Sequence, residues 1–132
     1  MLKKISEAPG CDHKRAGCEA RVAAMGDALY AIGGKWKLRI VLALGNEDAS
    51  PKRFNELQRL VRGISARVLS AELKELELNG FVTRKVIDQK PVVVEYQLTE
   101  YSQSLEGVLH ALTDWGTRHR ERIRQMAKQE SI

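Results

Sequence analysis

The chain of 132 residues contains little of what marks the specialised classes of protein: two cysteines, three prolines and 5% aromatic residues. Two cysteines are too few for the disulfide network of a small secreted domain. No apolar run approaches the roughly 18 residues that a membrane-spanning helix needs, so we expect no membrane partner. Residues 1–5 are followed by a polar stretch rather than an apolar one, which predicts no secretion signal and a cytoplasmic location.

Motifs typical of enzymes are also missing. The sequence has no glycine-rich phosphate loop, no Ser-His-Asp order and no paired carboxylate motif. His110 has Glu106 and Asp114 about one helical turn away, which superficially resembles a general acid-base pair. An exposed or interfacial ion pair explains that spacing much better, and we therefore predict no catalytic site and no cofactor.

Positive charge is concentrated in one part of the chain. The net charge is +5, and residues 51 to 90 hold nine Lys or Arg against five acids, which is nearly the whole excess. A basic field confined to one surface favours binding to a polyanion. The nine basic residues are Lys52, Arg53, Arg59, Arg62, Arg67, Lys74, Arg84, Lys85 and Lys90.

Two short helices are predicted inside this basic segment. Apolar residues recur at helical spacing, which gives each helix one stripe to bury. Gly63 allows a sharp turn between the helices, Ser65 is placed to cap the second, and Asn79-Gly80 is placed to end it. The stripes are Leu57, Leu60 and Val61 in the first helix and Leu69, Leu73 and Leu76 in the second.

A two-stranded hairpin is predicted after the second helix. Apolar, β-branched runs at residues 81–87 and 92–98 flank a polar segment at residues 88–91. Two helices followed by such a hairpin predict a winged helix-turn-helix, in which the second helix enters the DNA major groove. The fold class is thus α+β, mainly α, with double-stranded DNA as the expected partner.

The outward face of the second helix has an unusual composition. If the leucine stripe is buried, helical geometry turns small and basic residues outward. Small side chains let a helix approach base edges, Arg67 can reach a guanine edge or a phosphate, and Lys74 is expected to meet a phosphate. An ordinary solvated helix face, or a winged helix used only for protein contacts, is the alternative. The outward residues are Ala66, Arg67, Ser70, Ala71 and Lys74.

These motifs together resemble the HxlR-type (MarR-like) winged helix-turn-helix transcriptional regulators, over roughly residues 20 to 120. The resemblance implies a homodimeric bacterial regulator of a palindromic operator, with residues 65–79 as recognition helix and residues 82–98 as wing. It adds Gly34, Lys35, Arg53, Ser65, Arg84, Lys85 and Lys90 to the expected DNA-binding residues. The stretches that carry it are Ile32-Gly33-Gly34-Lys35-Trp36, Arg53-Phe54-Asn55-Glu56-Leu57, Gly63-Ile64-Ser65, Leu69 to Leu73, Leu76-Glu77, Asn79-Gly80, Pro91 to Tyr96, Leu98-Thr99 and Trp115-Gly116.

Flanking helices are predicted to form a dimer. A helix from Ser102 to about Met126 has one apolar stripe, and the segment before Ile32 has another. Pairing the stripes across a two-fold axis would bury both, although they would otherwise complete a monomer's core. Half-sites roughly 34 to 36 Å apart would then match paired recognition helices. The predicted dimerisation residues are Val22, Met25, Leu29, Leu105, Val108, Leu109, Leu112 and Trp115.

The N-terminal segment contains both cysteines. Residues 1–18 are expected to be a flexible polar arm, followed by one domain at 19–126 and a tail at 127–132. Basic neighbours favour a reactive thiolate at Cys11 and Cys18, which makes both redox candidates. Sensors of the resembled family often have proline after their cysteine, whereas Cys18 precedes Glu19 and lies further from Gly33. With His13, the cysteines supply only three ligands in no closed zinc spacing, so no metal site is predicted. The sequence identifies no small-molecule or oxidant effector.

Overall fold

A computed structural model of the protein describes residues 11–45 and 49–130, with side chains described from residue 17. The architecture is mainly helical with one small sheet, as the sequence predicted. No helix among these residues is both long and apolar enough to cross a bilayer. In chain order the elements are α1 (Cys11–Ile32), α2 (Lys37–Leu44), β1 (Lys52–Arg53), α3 (Phe54–Leu60), α4 (Ala66–Leu78), β2 (Val82–Ile87), β3 (Val93–Leu98), a 3₁₀ turn (Tyr101–Leu105) and α5 (Glu106–Glu130).

The sheet is antiparallel, with strand order β1-β3-β2. Strands β2 and β3 form the predicted hairpin, in which Arg84 pairs with Tyr96 and Lys85 with Glu95. Strand β1 adds two residues on the other side of β3, where Lys52 lies opposite Tyr96. The sequence analysis missed β1, because two residues are too few to show an alternating pattern. Since β1 leads directly into α3, it ties the helix-turn-helix to the wing.

Helices α2, α3 and α4 enclose the core together with the sheet. The predicted stripe of α4, Leu69, Leu73 and Leu76, is fully buried. In α3 the prediction was right for Leu57 and Val61 but wrong for Leu60, which keeps 49% of its surface exposed. The core also contains Ile32, Ile40, Val41, Leu44, Ile64, Phe81, Val82, Tyr96 and Leu105.

The ends of α4 follow the predicted capping chemistry. The Ser65 Oγ accepts a hydrogen bond from the Val68 backbone N–H at 3.1 Å, which satisfies one of the free donors at the helix start. Asn79 ends the helix, and Gly80 follows with φ +82°, a left-handed conformation that glycine adopts without strain. Gly63 has φ +88° in the turn between α3 and α4, also as predicted.

The N-terminal helix corrects one prediction. Helix α1 begins at Cys11, so residues 11–18 of the expected arm are helical, while residues 1–10 lie outside the described residues. Every side chain from Cys18 to Tyr30 is exposed in the single chain. Among the described side chains of this helix, those that join the core are at its end, where Ile32 is buried and Ala31 half-buried.

The C-terminal helix also differs from its prediction. A 3₁₀ turn replaces its expected first residues, and α5 continues to Glu130 rather than ending near Met126. Two residues of the predicted dimer stripe serve the chain's own core instead, because Leu105 is buried there and Leu109 packs against it. None of the residues of α5 is fully buried, so most of this helix extends beyond the winged-helix body.

Candidate nucleic-acid interface

The outward face of α4 matches its expected composition. Ala66, Arg67, Ser70, Ala71 and Lys74 are all exposed, on the side of the helix away from the buried leucines. Their small or basic side chains leave the backbone of α4 accessible to a groove and place two positive charges on it. The buried stripe therefore determines which side chains the helix presents.

The wing lies along one side of this face. Arg84, Ser70, Lys74, Glu77 and Tyr96 line a small cavity of about 270 Å³ between α4 and the hairpin, so the Arg84 side chain adjoins α4. Successive side chains of a strand point to opposite faces, which puts Lys85 on the other face of the hairpin, cross-strand from Glu95. The structure thus brings Arg84 to α4 and separates Lys85 from it.

The tip of the wing is the loop that connects β2 to β3. Lys90 is exposed there, immediately before Pro91. Its charge is therefore accessible to a DNA backbone at the tip of the hairpin.

The start of α2 lies on the opposite side of α4. Gly34 and Lys35 are exposed in the turn that precedes α2, which begins at Lys37. Trp36 packs against the core and is half-buried. The Lys35 Nζ lies 4.9 Å from the Trp36 ring centroid and the Arg39 Cζ lies 5.3 Å from it, so two cations lie over one aromatic ring.

A lysine that the sequence analysis did not single out joins α2 to α4. The Lys37 Nζ lies 2.6 Å from Oε2 of Glu75 and 3.2 Å from Oε2 of Glu72. The hydrogen bond to Glu75 raises the pKa of Lys37 above its ordinary 10.5, burial opposes that change, and Glu72 reinforces it. Only the i, i+3 spacing of the two acids hinted at this bridge, because Lys37 is 35 positions from Glu72 in sequence.

The predicted basic field loses one member. Lys52 is buried, and its Nζ donates to the carbonyl oxygens of Leu44 at 3.4 Å and Ser50 at 3.3 Å. It therefore braces the end of α2 instead of facing solvent. The other eight basic residues of the field are exposed, including Arg53, whose backbone N–H donates to Glu56 at the start of α3.

Apolar side chains remain uncovered on the flanking helices. Val22, Met25 and Leu29 form a stripe on α1, with Val22 66% exposed. On α5, Val108, Leu112 and Trp115 form another, and Trp115 is 58% exposed although it stacks on His119. Ile123 and Met126 extend the α5 stripe, which the sequence analysis ended at Trp115.

Of the two cysteines, the structure describes the side chain of Cys18 only, and it is exposed. At 100° per residue, Cys18 falls on the same face of α1 as Val22, Met25 and Leu29. The described residues contain no cluster of three or more His, Cys, Asp or Glu side chains suited to a metal ion.

Comparison with known proteins agrees with this geometry. The sequence pattern of HxlR-like helix-turn-helix proteins matches residues 31–124. The chain belongs to this HxlR-like family. It is 44% identical over 95 residues to the HTH-type transcriptional regulator YtcD of Bacillus subtilis (strain 168), covering 72% of this chain and 73% of YtcD.

Two solved structures similar to this HxlR-like protein come from redox studies. The redox regulator HypR in its reduced form superposes with a TM-score of 0.69 at 36% identity, covering 77% of this chain and 98% of HypR. Diamide-treated YodB from B. subtilis superposes with a TM-score of 0.59 at 35% identity, covering 72% and 91%. Both cysteines of this chain lie before residue 31, outside the family match.

The raised pKa of Lys37 predicts how the bridge depends on pH. Because the pKa is higher in the folded chain than in the unfolded one, the stabilisation is complete below pH 10.5 and is lost as pH rises through the folded value. We expect the stability difference between the parent and Lys37→Met to be constant from pH 7 to about 10 and to shrink above it. Urea unfolding of both proteins across this range measures the difference, and a difference that grows with alkaline pH would contradict the bridge.

Proposed function

We propose that the protein is a sequence-specific DNA-binding transcriptional regulator that acts as a homodimer on a palindromic operator. Helix α4 enters the major groove and the wing lies on the DNA backbone. The observation that carries this proposal is the exposed face of α4, small and basic, held outward by a fully buried leucine stripe. Its family relatives are named as HTH-type transcriptional regulators, which supports the same function.

Within α4, the residues divide into base readers and phosphate contacts. Ala66 and Ala71 leave room for close approach, and Arg67 and Ser70 near the start of the helix are placed for base edges. Lys74, one turn further along, meets a phosphate. Arg53, Lys35 and Arg84 surround this face and supply further backbone contacts, which fix orientation without reading sequence.

Substituting Arg67 distinguishes recognition of base sequence from binding to the phosphate backbone. We expect Arg67→Ala to cost about 1 to 3 kcal/mol of specific binding and to relax sequence preference. Lys85→Ala, on the outer face of the wing, is the matched control and should weaken all sequences similarly with a flatter salt dependence. The measurement is a salt titration of binding to the gene's own upstream region against scrambled DNA. Unchanged binding by Arg67→Glu would favour the alternative, a winged helix that contacts proteins without reading DNA.

The dimer is supported by the apolar stripes of α1 and α5. An isolated helix is marginally stable in water and gains most of its stability from burying an apolar face. Helix α5 is about 38 Å long at 1.5 Å per residue, which reaches beyond the winged-helix body. A second copy supplies the same two stripes in a self-complementary arrangement, and its two-fold axis would match the symmetry of a palindrome.

The stripe of α1 provides a test with a neighbouring control. Leu29→Glu places a carboxylate in the proposed interface and should weaken the dimer at least about tenfold, because an unpaired buried charge is costly. Tyr30→Glu, one residue along and 100° around the helix, should leave the dimer intact. Sedimentation across a range of concentrations measures both, and equal dissociation constants for the two variants would refute this interface.

Thiol-based redox control is a second candidate. Cys18 is exposed and shares its helix face with the proposed dimer stripe, so oxidation there would act on the interface. The similarity to HypR, named a redox regulator, favours this candidate. Diamide would take two electrons and two protons from a pair of thiols, joining them in a disulfide while its azo bond is reduced to a hydrazine.

Cysteine variants test this candidate. We expect diamide to change DNA affinity of the parent about fivefold or more, a typical coupling between sites, and dithiothreitol to reverse the change. The double variant Cys11→Ser, Cys18→Ser should not respond, and the single variants identify the thiol concerned. Thiol sensing is wrong if the double variant responds as the parent does.

A further inference from the structure

The recognition helix has a charge that opposes its proposed task. Helix α4 contains Arg67 and Lys74 but also three acids, Glu72, Glu75 and Glu77. Taken alone, this helix has an excess of negative charge, yet it must enter a groove bordered by phosphates. Like charges brought together across an interface weaken binding, so at least part of this acidity needs to be neutralised from outside the helix.

Lys37 supplies that neutralisation. Its Nζ contacts Glu75 at 2.6 Å and Glu72 at 3.2 Å, across the junction between α2 and α4. The Lys37 side chain is only 12% exposed and that of Glu72 only 19%, so water screens their interaction weakly. Glu75 is 56% exposed, which leaves its carboxylate open to a neighbouring phosphate if Lys37 is removed.

The bridge also joins the flank of α4 to the start of α2. At 100° per residue, Glu72 and Glu75 are on the flank of α4 between the buried leucines and the outward face. Lys37 is the first residue of α2, whose next turn is anchored by Ile40 and Val41 in the core. The ammonium group therefore ties one flank of α4 to a fixed point, while Arg84 and the wing adjoin the other flank.

We propose that Lys37 is a positioning residue for DNA binding, which acts by neutralising Glu72 and Glu75 on the flank of the recognition helix. The inference rests on the proposed function, since it concerns how α4 meets DNA. Lys37 itself does not contact the phosphates, because both carboxylates occupy its ammonium group. Its removal weakens DNA binding through the two acids that it leaves without a partner.

The experiment combines Lys37→Met with changes to its partners. We expect Lys37→Met to bind the preferred DNA about tenfold more weakly than the parent, or weaker still. Adding Glu72→Gln and Glu75→Gln to that variant should restore most of the affinity, because the uncompensated charges are gone. Lys37→Arg, which keeps the charge, should bind nearly as the parent does. Arg124→Met is the control, because it removes the same charge from α5, away from the proposed DNA interface.

Folding is monitored separately from binding. Circular dichroism and thermal melting define a temperature at which every variant is folded, and stoichiometric titration gives the active fraction of each. A lower melting temperature with unchanged affinity would mean that Lys37 is only a structural brace, and would overturn the inference. Affinity that stays low after the two Gln substitutions would indicate a direct contact between Lys37 and DNA, and would overturn it as well.

Measurements on the parent protein distinguish a failure of the proposed function from a failure of the role proposed for Lys37. A parent that prefers no sequence, even after selection from random DNA, overturns the proposed function and this inference with it. A parent that binds specifically while Lys37→Met binds equally well overturns the inference alone.

Discussion

Burial of one leucine stripe determines most of this molecule's surface chemistry. Leu69, Leu73 and Leu76 are inserted among α2, α3 and the sheet, and a helix has no freedom to rotate once such a stripe is packed. The outward position of Arg67 and Ser70 follows from that packing. A substitution in the core would therefore disturb the proposed DNA contacts without touching them, because the stripe and the contacts occupy opposite faces of the same helix.

Local patterns were sufficient to predict the helix-turn-helix and its wing. The spacing of the α4 leucines, the cap at Ser65 and the Asn79-Gly80 ending all involve residues within a few positions of each other, and such interactions can be read along a sequence. Leu60 is an exception, because it was predicted to be buried and is exposed. Its spacing matched the α3 stripe, yet a helix of seven residues buries a narrow stripe, and only the packing of α2 decides which leucines are included.

The parts that could not be predicted depend on contacts between distant segments. Lys52 looked like any surface lysine until β1 and the end of α2 were placed around it. The bridge from Lys37 to Glu75 likewise joins helices that are separate in sequence, so counting charges along the chain could not show it. Residues such as these must be known in three dimensions before a basic field can be attributed to a binding surface.

Helix α1 has a consequence for how the protein responds to its own abundance. From residue 17 onward, the single chain gives this helix almost no surface to fold against, since of these side chains only Ile32 and Ala31 join the core. If a second copy provides that surface, ordering of α1 is coupled to association, and its folded fraction rises with protein concentration. The level of expression would then itself regulate the protein, because it sets the fraction of subunits in which α1 is folded.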